Sequence, residues 1–156
     1  MERLEIRKQT SEEFEALSGA AREAGVQDRM FGVFHDAGYK GLYNGLGNAA
    51  IRIAKKENLL DRMDTTELAA NQFRMTQTRD KLAREVINNQ QQAIAAHETV
   101  GREVREAIKR IGGTMPENIP AAEPISTVEK RLKSTPPVLE LEEKDAKGLV
   151  GEVDNG

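Results

Sequence analysis

Two histidines, His35 and His97, are the first residues to question for chemistry. The chain has no cysteine, so it holds no thiol nucleophile, disulfide or thiolate metal site. A helical zinc motif needs a second ligand one turn on, as in H-E-x-x-H, and the position four after His97 is Gly101. His97 instead reads as a helix-face residue that hydrogen-bonds a neighbour. His35 is followed by Asp36. Sequence neighbours point to different sides of a helix, so the pair reads as helix-end polarity rather than an acid–base couple. Asp61, Asp64 and Glu67 recur every three residues. That spacing suggests a metal cage or a paired-carboxylate hydrolase weakly and helix capping strongly. Ser11, Ser18, Ser126 and Ser134 fall near expected helix starts or ends, with no G-x-S-x-G setting. No catalytic residue, metal site or cofactor is assigned, and the chain reads as a non-enzyme.

Recognition of a macromolecule is the more serious reading. Between Ala50 and Arg84 there are eight bases and five acids. Arg74 and Lys81 are seven apart and so share a helix face, with Arg79 and Arg84 nearby. Asn71, Gln72 and Gln77 add polar groups able to reach phosphates or bases. This is a candidate DNA-facing strip, weighed against a solvated face with Asp80 and Arg84 as an ordinary i,i+4 pair. The second reading is preferred, because strong DNA binding rests on phosphate neutralisation and aromatics for stacking are few. The other candidate surface is "GYKGLYNGLG". Gly38, Gly41, Gly45 and Gly47 match no phosphate-loop order, and no apolar strand precedes them. The segment reads as a compact loop in which Tyr39, Leu42, Tyr43 and Leu46 plug onto the body, with Asn44 and Gly45 in a turn. A tyrosine hydroxyl left outside would serve as a contact point.

These residues need helices to position them. Thr10, with Glu13 three residues on, reads as a capped helix start, followed by Phe14, Leu17 and Ala21 on one face; Gly25 ends it. Asp28 opens a short helix that Gly38 closes. "NAAIRIAKKENLL" reads as a third helix, with Ile51, Ile53 and Ala54 apolar. Asp64 caps a fourth, which sends Leu68, Ala69, Phe73 and Thr76 inward and runs to about Glu85. The fifth runs from about Asn89 to Ile111 on the stripe Ile94, His97, Val100, Val104, Ile108, Ile111. The glutamines at 90–92 could bridge helices, form a polar seam between subunits or face water, and the last reading is preferred. After Gly112 and Gly113 comes a proline-punctuated crossing segment, then a last short helix capped by Ser126 or Thr127. No segment alternates as a strand does. The fold class expected is all-α, an irregular bundle of about five helices over residues 1–134.

The chain has 156 residues, 38% apolar and 31% charged, with a net charge of −3. Residues 135–156 carry −4 of that and leave the body at +1. Paired prolines, glycine and charge make this segment a disordered acidic tail, with "VLEL" as a small apolar cluster inside it. The start has no apolar signal region, and no run approaches the ~20 apolar residues of a membrane helix. The expectation is a cytoplasmic protein with no membrane partner.

"GYKGLYNGL", "LLDRMDTTELAANQFRMTQTRDKL" and "VGREVREAIKRIGGTMPENIP" resemble, in order, blocks of the DNA-damage-inducible protein D family. The resemblance runs from about Glu5 to Pro120 and corresponds to the C-terminal half of full-length members. Their N-terminal half resembles a phage antirepressor domain and has no counterpart in this sequence. The resemblance implies a bacterial SOS-response protein that modulates recombinase filaments on single-stranded DNA. It brings no catalytic residues. The alternative is a module that binds DNA directly or regulates transcription in an antirepressor-like way.

Overall fold

A computed structural model describes residues 2–51 and 58–134. Six α-helices carry those residues: α1 Glu2–Glu23, α2 Phe31–Leu42, α3 Asn48–Ile51, α4 Thr65–Arg84, α5 Gln90–Arg110 and α6 Ile125–Ser134. There is no strand among the described residues. The all-α expectation holds. Residues Met1–Ala122 form one compact unit, the body; α6 belongs to a second, Glu123–Gly156. Within that second unit Arg131 pairs with Glu123 at 2.9 Å. The expected acidic tail, 135–156, lies outside the described residues.

Several boundaries move for physical reasons. α1 begins two turns before Thr10, so Thr10 is no cap and Ser11 and Ser18 are mid-helix. Its early turns are anchored from outside. Arg3 donates to the Met63 and Asp61 carbonyls, and Arg7 pairs with the Asp61 carboxylate at 2.8 Å. Thr10 bonds back to the Ile6 carbonyl at 2.6 Å, as a hydroxyl inside a helix does. Phe14, Leu17 and Ala21 do face inward, and Gly25 ends the helix at φ +96°. Asp28 starts a short 3-10 turn, not the helix itself. α2 runs through Gly38 to Leu42, so most of the expected loop is helix; Asn44 at φ +57° and Gly45 at φ +95° make the turn. The continuation expected over Ile53 and Ala54 lies outside the described residues. Asp64 and Asn89 cap α4 and α5 by accepting from Glu67 N at 2.8 Å and Gln92 N at 3.0 Å. α6 starts at Ile125, so Ser126 and Thr127 sit in its first turn instead of capping it.

Gly38 continues α2 because glycine is needed there for packing, not for stopping. α2 lies so close on α5 that Gly38 and Gly41 meet Gly101. A Cβ on Gly101 would sit 2.6 Å from the Gly38 carbonyl oxygen, and one on Gly41 would strike the Glu98 carbonyl. Gly41→Ala is therefore expected to destabilise by roughly the 1–3 kcal/mol of an overpacked core, despite alanine's better helix propensity. Gly19, with open space around it on α1, is the matched control. There Gly→Ala should stabilise by up to about 1 kcal/mol in a urea melt.

Two apolar clusters fill the body. One joins Leu17, Ala21, Phe34, Met75, Leu82 and Ala93. The other joins Tyr39, Leu42, Tyr43, Leu60, Met63, Leu68 and Val104. On α4 and α5 the residues between the clusters are polar and equally buried: Asn71 and Arg74 on one, His97 on the other. A polar layer thus crosses the middle of the bundle.

Candidate functional site

The polar layer is a single hydrogen-bonded chain. His97 Nδ1 donates to the Phe34 carbonyl at 2.8 Å, which leaves Nε2 as an acceptor. Arg74 Nη1 donates to that Nε2 at 2.6 Å, and Arg74 Nη2 donates to Asn71 Oδ1 at 2.8 Å. Asn71 Nδ2 donates to the Tyr43 hydroxyl at 3.0 Å, which donates to Glu67 Oε2 at 2.5 Å. The Arg74 guanidinium also lies over the Tyr39 ring, 4.7 Å from its centroid. One cation and one carboxylate are thus buried at the two ends of an amide–phenol bridge. Burial pushes the Tyr39 and Tyr43 hydroxyls up, the latter with Glu67 beside it. Burial next to Arg74 pushes His97 well below its ordinary value.

That arrangement places the eight residues expected at a contact surface. Tyr39, Leu42 and Tyr43 are inside, as the plug reading has it, but the Tyr43 hydroxyl is buried too and does not reach outside. Arg74 is only 1% exposed. It belongs to neither a DNA-facing strip nor a solvated face. Its position three residues from Asn71 and facing His97 was not signalled by periodicity, because the inward face of α4 is half polar. Phe73, expected inward, is 53% exposed in consequence, and Ala69 is exposed with it. Asn44 is exposed. Arg79, Lys81 and Arg84 reach the surface, where they pair with Glu13 at 2.5 Å, Glu85 at 2.7 Å and Asp80 at 2.8 Å. Exposed pairs of this kind contribute little stability. Arg79→Ala with Arg84→Ala should leave the melting midpoint almost unchanged.

One open depression is a cleft of about 600 Å³ lined by Ser11, Phe14, His35, Asp36, Tyr39 and Leu59, among others. His35 is mid-helix, not at a helix end. Its Nε2 lies 2.9 Å from Ser18 Oγ, and the Phe14 ring stacks on it at 4.1 Å. A serine nucleophile needs a histidine whose other nitrogen is held by an acid. His35 Nδ1 is buried without a partner among the described residues, and burial, then Arg74, lower the ring to about 4. Asp36 turns away and accepts from Asn48 N at 2.9 Å. The couple is therefore a poor base at neutral pH and has no orienting group. No cluster of metal-binding side chains occurs among the described residues. Asp61, Asp64 and Glu67 are separated: Asp61 pairs with Arg7, Asp64 caps α4, and the Glu67 carboxylate faces Tyr43.

Both histidines are neutral in the native state and charge when the chain unfolds. Between the unfolded value, about 6.5, and the folded one, the unfolded chain binds more protons, so stability falls as pH falls. For His35 the loss is spread from about 6.5 down to about 4 and is complete below that. His97, lowered by burial and then by Arg74, loses stability in the same direction. Urea midpoints should drop between pH 7.5 and pH 5, where carboxylates change little. His97→Gln, which keeps an acceptor toward Arg74, should flatten the slope.

A sequence profile of the DinD C-terminal domain matches residues 1–128. The chain belongs to that family. The chain is also 44% identical over 139 residues to the DNA damage-inducible protein D of Escherichia coli strain K12, a match covering 85% of this chain and 51% of the relative. The chain thus spans about half the length of that curated relative, its C-terminal part. No solved structure matches. In this DinD C-terminal domain the matched region takes in the whole body, so the polar layer and the glycine seam both fall within it. No helix among the described residues is long and apolar enough to cross a membrane.

Proposed function

We propose that this DinD C-terminal domain is a non-enzymatic binding module of the bacterial DNA-damage response that acts on recombinase filaments assembled on single-stranded DNA. The damage-response part rests on the 44% identity to DNA damage-inducible protein D. The filament is the partner the sequence resemblance implies. The observation that favours a protein partner over bare DNA is the burial of Arg74 in the core. The basic strip of α4 keeps three cations, each already matched by a carboxylate. Such a face neutralises few phosphates, and affinity for bare DNA scales with that number.

The experiment follows recombinase assembly on single-stranded DNA by light scattering, with anisotropy of the same labelled DNA free of recombinase as a second channel. The expected result is altered filament assembly or disassembly at protein concentrations that leave bare DNA unbound. Binding to bare DNA that weakens steeply with salt, and that Arg79→Ala with Arg84→Ala reduces, would instead establish the DNA-binding alternative.

A further inference from the structure

The outer face of α4 carries no charge over three turns. Between Asp64 and Arg79 the only charged residues are Glu67 and Arg74, and both are buried in the polar layer. Thr66, Ala69, Phe73 and Gln77 are left for the surface, at helical spacing along one side. In a chain that is 31% charged, a face of this length without an ion is the exception. Its centre is the half-exposed Phe73 ring. Beside that ring, toward the start of α4, lies a depression of about 340 Å³. Thr66 and Ala70 of α4, Ile108 and Ile111 of α5, and Pro116 line it. Ile111 is 82% exposed although it ends the apolar stripe of α5. Large apolar side chains grouped around a hollow mark a protein contact more often than scattered ones do.

An apolar knob and an apolar hollow side by side fit a second copy of the same surface. A two-fold axis at their midpoint, close to Ala69 and Ala70, exchanges them, so that each Phe73 ring enters the other copy's hollow. The two α4 helices then cross antiparallel, and alanine at the crossing lets them approach closely. Charge gives the second argument. Residues at a two-fold axis meet their own copies, so an ion there would face its like, which is costly. A face free of ions meets itself without that cost, whereas a charged partner would find nothing on it to pair with. Size sets the strength. The strip from Thr66 to Gln77 is about 18 Å long and, taken across α4 and α5, about 20 Å wide. That is smaller than the roughly 800 Å² per partner of a standard interface and belongs with weak, reversible pairings.

We propose that the Phe73 knob and the Ile108–Ile111 hollow pair two copies of this domain, α4 against α4 and antiparallel, as a weak dimer. The proposal does not depend on the filament reading. Sedimentation velocity of the full chain, from micromolar to near-millimolar concentration, tests it. The expected result is a sedimentation coefficient that rises with concentration for the parent. Phe73→Glu should hold the monomer value throughout, because it carries a carboxylate into an apolar hollow. Phe73 lies at the surface, so this variant should fold, and a thermal melt verifies it. Mild oxidation of single-cysteine variants reads the geometry separately, since the chain has no cysteine of its own. Ala69→Cys, beside the axis, should give a disulfide-linked dimer. Ala83→Cys, also exposed and near the end of the same helix, is the control. Antiparallel helices crossing at Ala70 hold the two copies of that position about 40 Å apart. A parent that stays monomeric at every concentration would overturn the proposal and leave the face to a different protein. Pairing of Phe73→Glu as strong as the parent's, or equal crosslinking from positions 69 and 83, would overturn it as well.

Discussion

Arg74→Ala is expected to lower the unfolding free energy by about 3–5 kcal/mol, the range for truncating a large side chain in a packed core, here with His97 and Asn71 left without their donor. Domains of this size have about 5–15 kcal/mol to lose, so the variant should be partly unfolded near physiological temperature. The loss has two parts. The aliphatic stem and guanidinium leave a cavity beside Tyr39, and the hydrogen-bonded chain from His97 through Asn71 and Tyr43 to Glu67 is cut. Arg74→Met separates them by keeping the stem. It should still cost most of the effect, and adding Glu67→Gln should restore part of it, because the two residues belong to one hydrogen-bond network. Urea melts of the two single variants and the double variant measure this. An Arg74 that served DNA alone would give unchanged melts in all three.

Tyr43→Ala should cost a similar ~3–5 kcal/mol, as a fully buried aromatic does on truncation. Tyr43→Phe keeps the ring and removes the hydroxyl between Asn71 and Glu67. It leaves a buried carboxylate short of a donor, at about 1–3 kcal/mol. The ratio of the two effects divides the residue's role between plug and bridge. If the tyrosine side chain faced a partner instead, both variants would melt as the parent does.

The parts of this fold that were legible in the sequence are those set by local chemistry. Asp64 and Asn89 are caps because a short polar side chain meets the free amides of a first turn. Gly25 and Gly112 end helices at positive φ. The α5 stripe shows because most of its inward residues are apolar. What was hidden depends on pairing across elements. α1 begins early because Arg3 and Arg7 reach residues some sixty positions away, which no local signal carries. Gly38 looked like a stop because glycine serves both helix ends and close helix contacts, and only α5 distinguishes them. Arg74 and Glu67 look like surface residues on α4, since charged side chains are almost never buried unpaired. Their partners, His97 and Tyr43, come from α5 and from the residue that caps the end of α2. Phe73 was turned inward on the same mistaken phase. The cleft beside Ile111 was missed because the apolar stripe was counted whole.

The central claim is that the polar layer clamps α2, α4 and α5 together and is not a working site that opens to admit a substrate. Amide hydrogen exchange of the full chain measures this directly. The amides of α2 around Gly38, of α4 around Arg74 and of α5 around His97 should be the slowest in the body and should exchange together, only through global unfolding. Fast, independent exchange at those three places, with the apolar clusters on either side still protected, would contradict it.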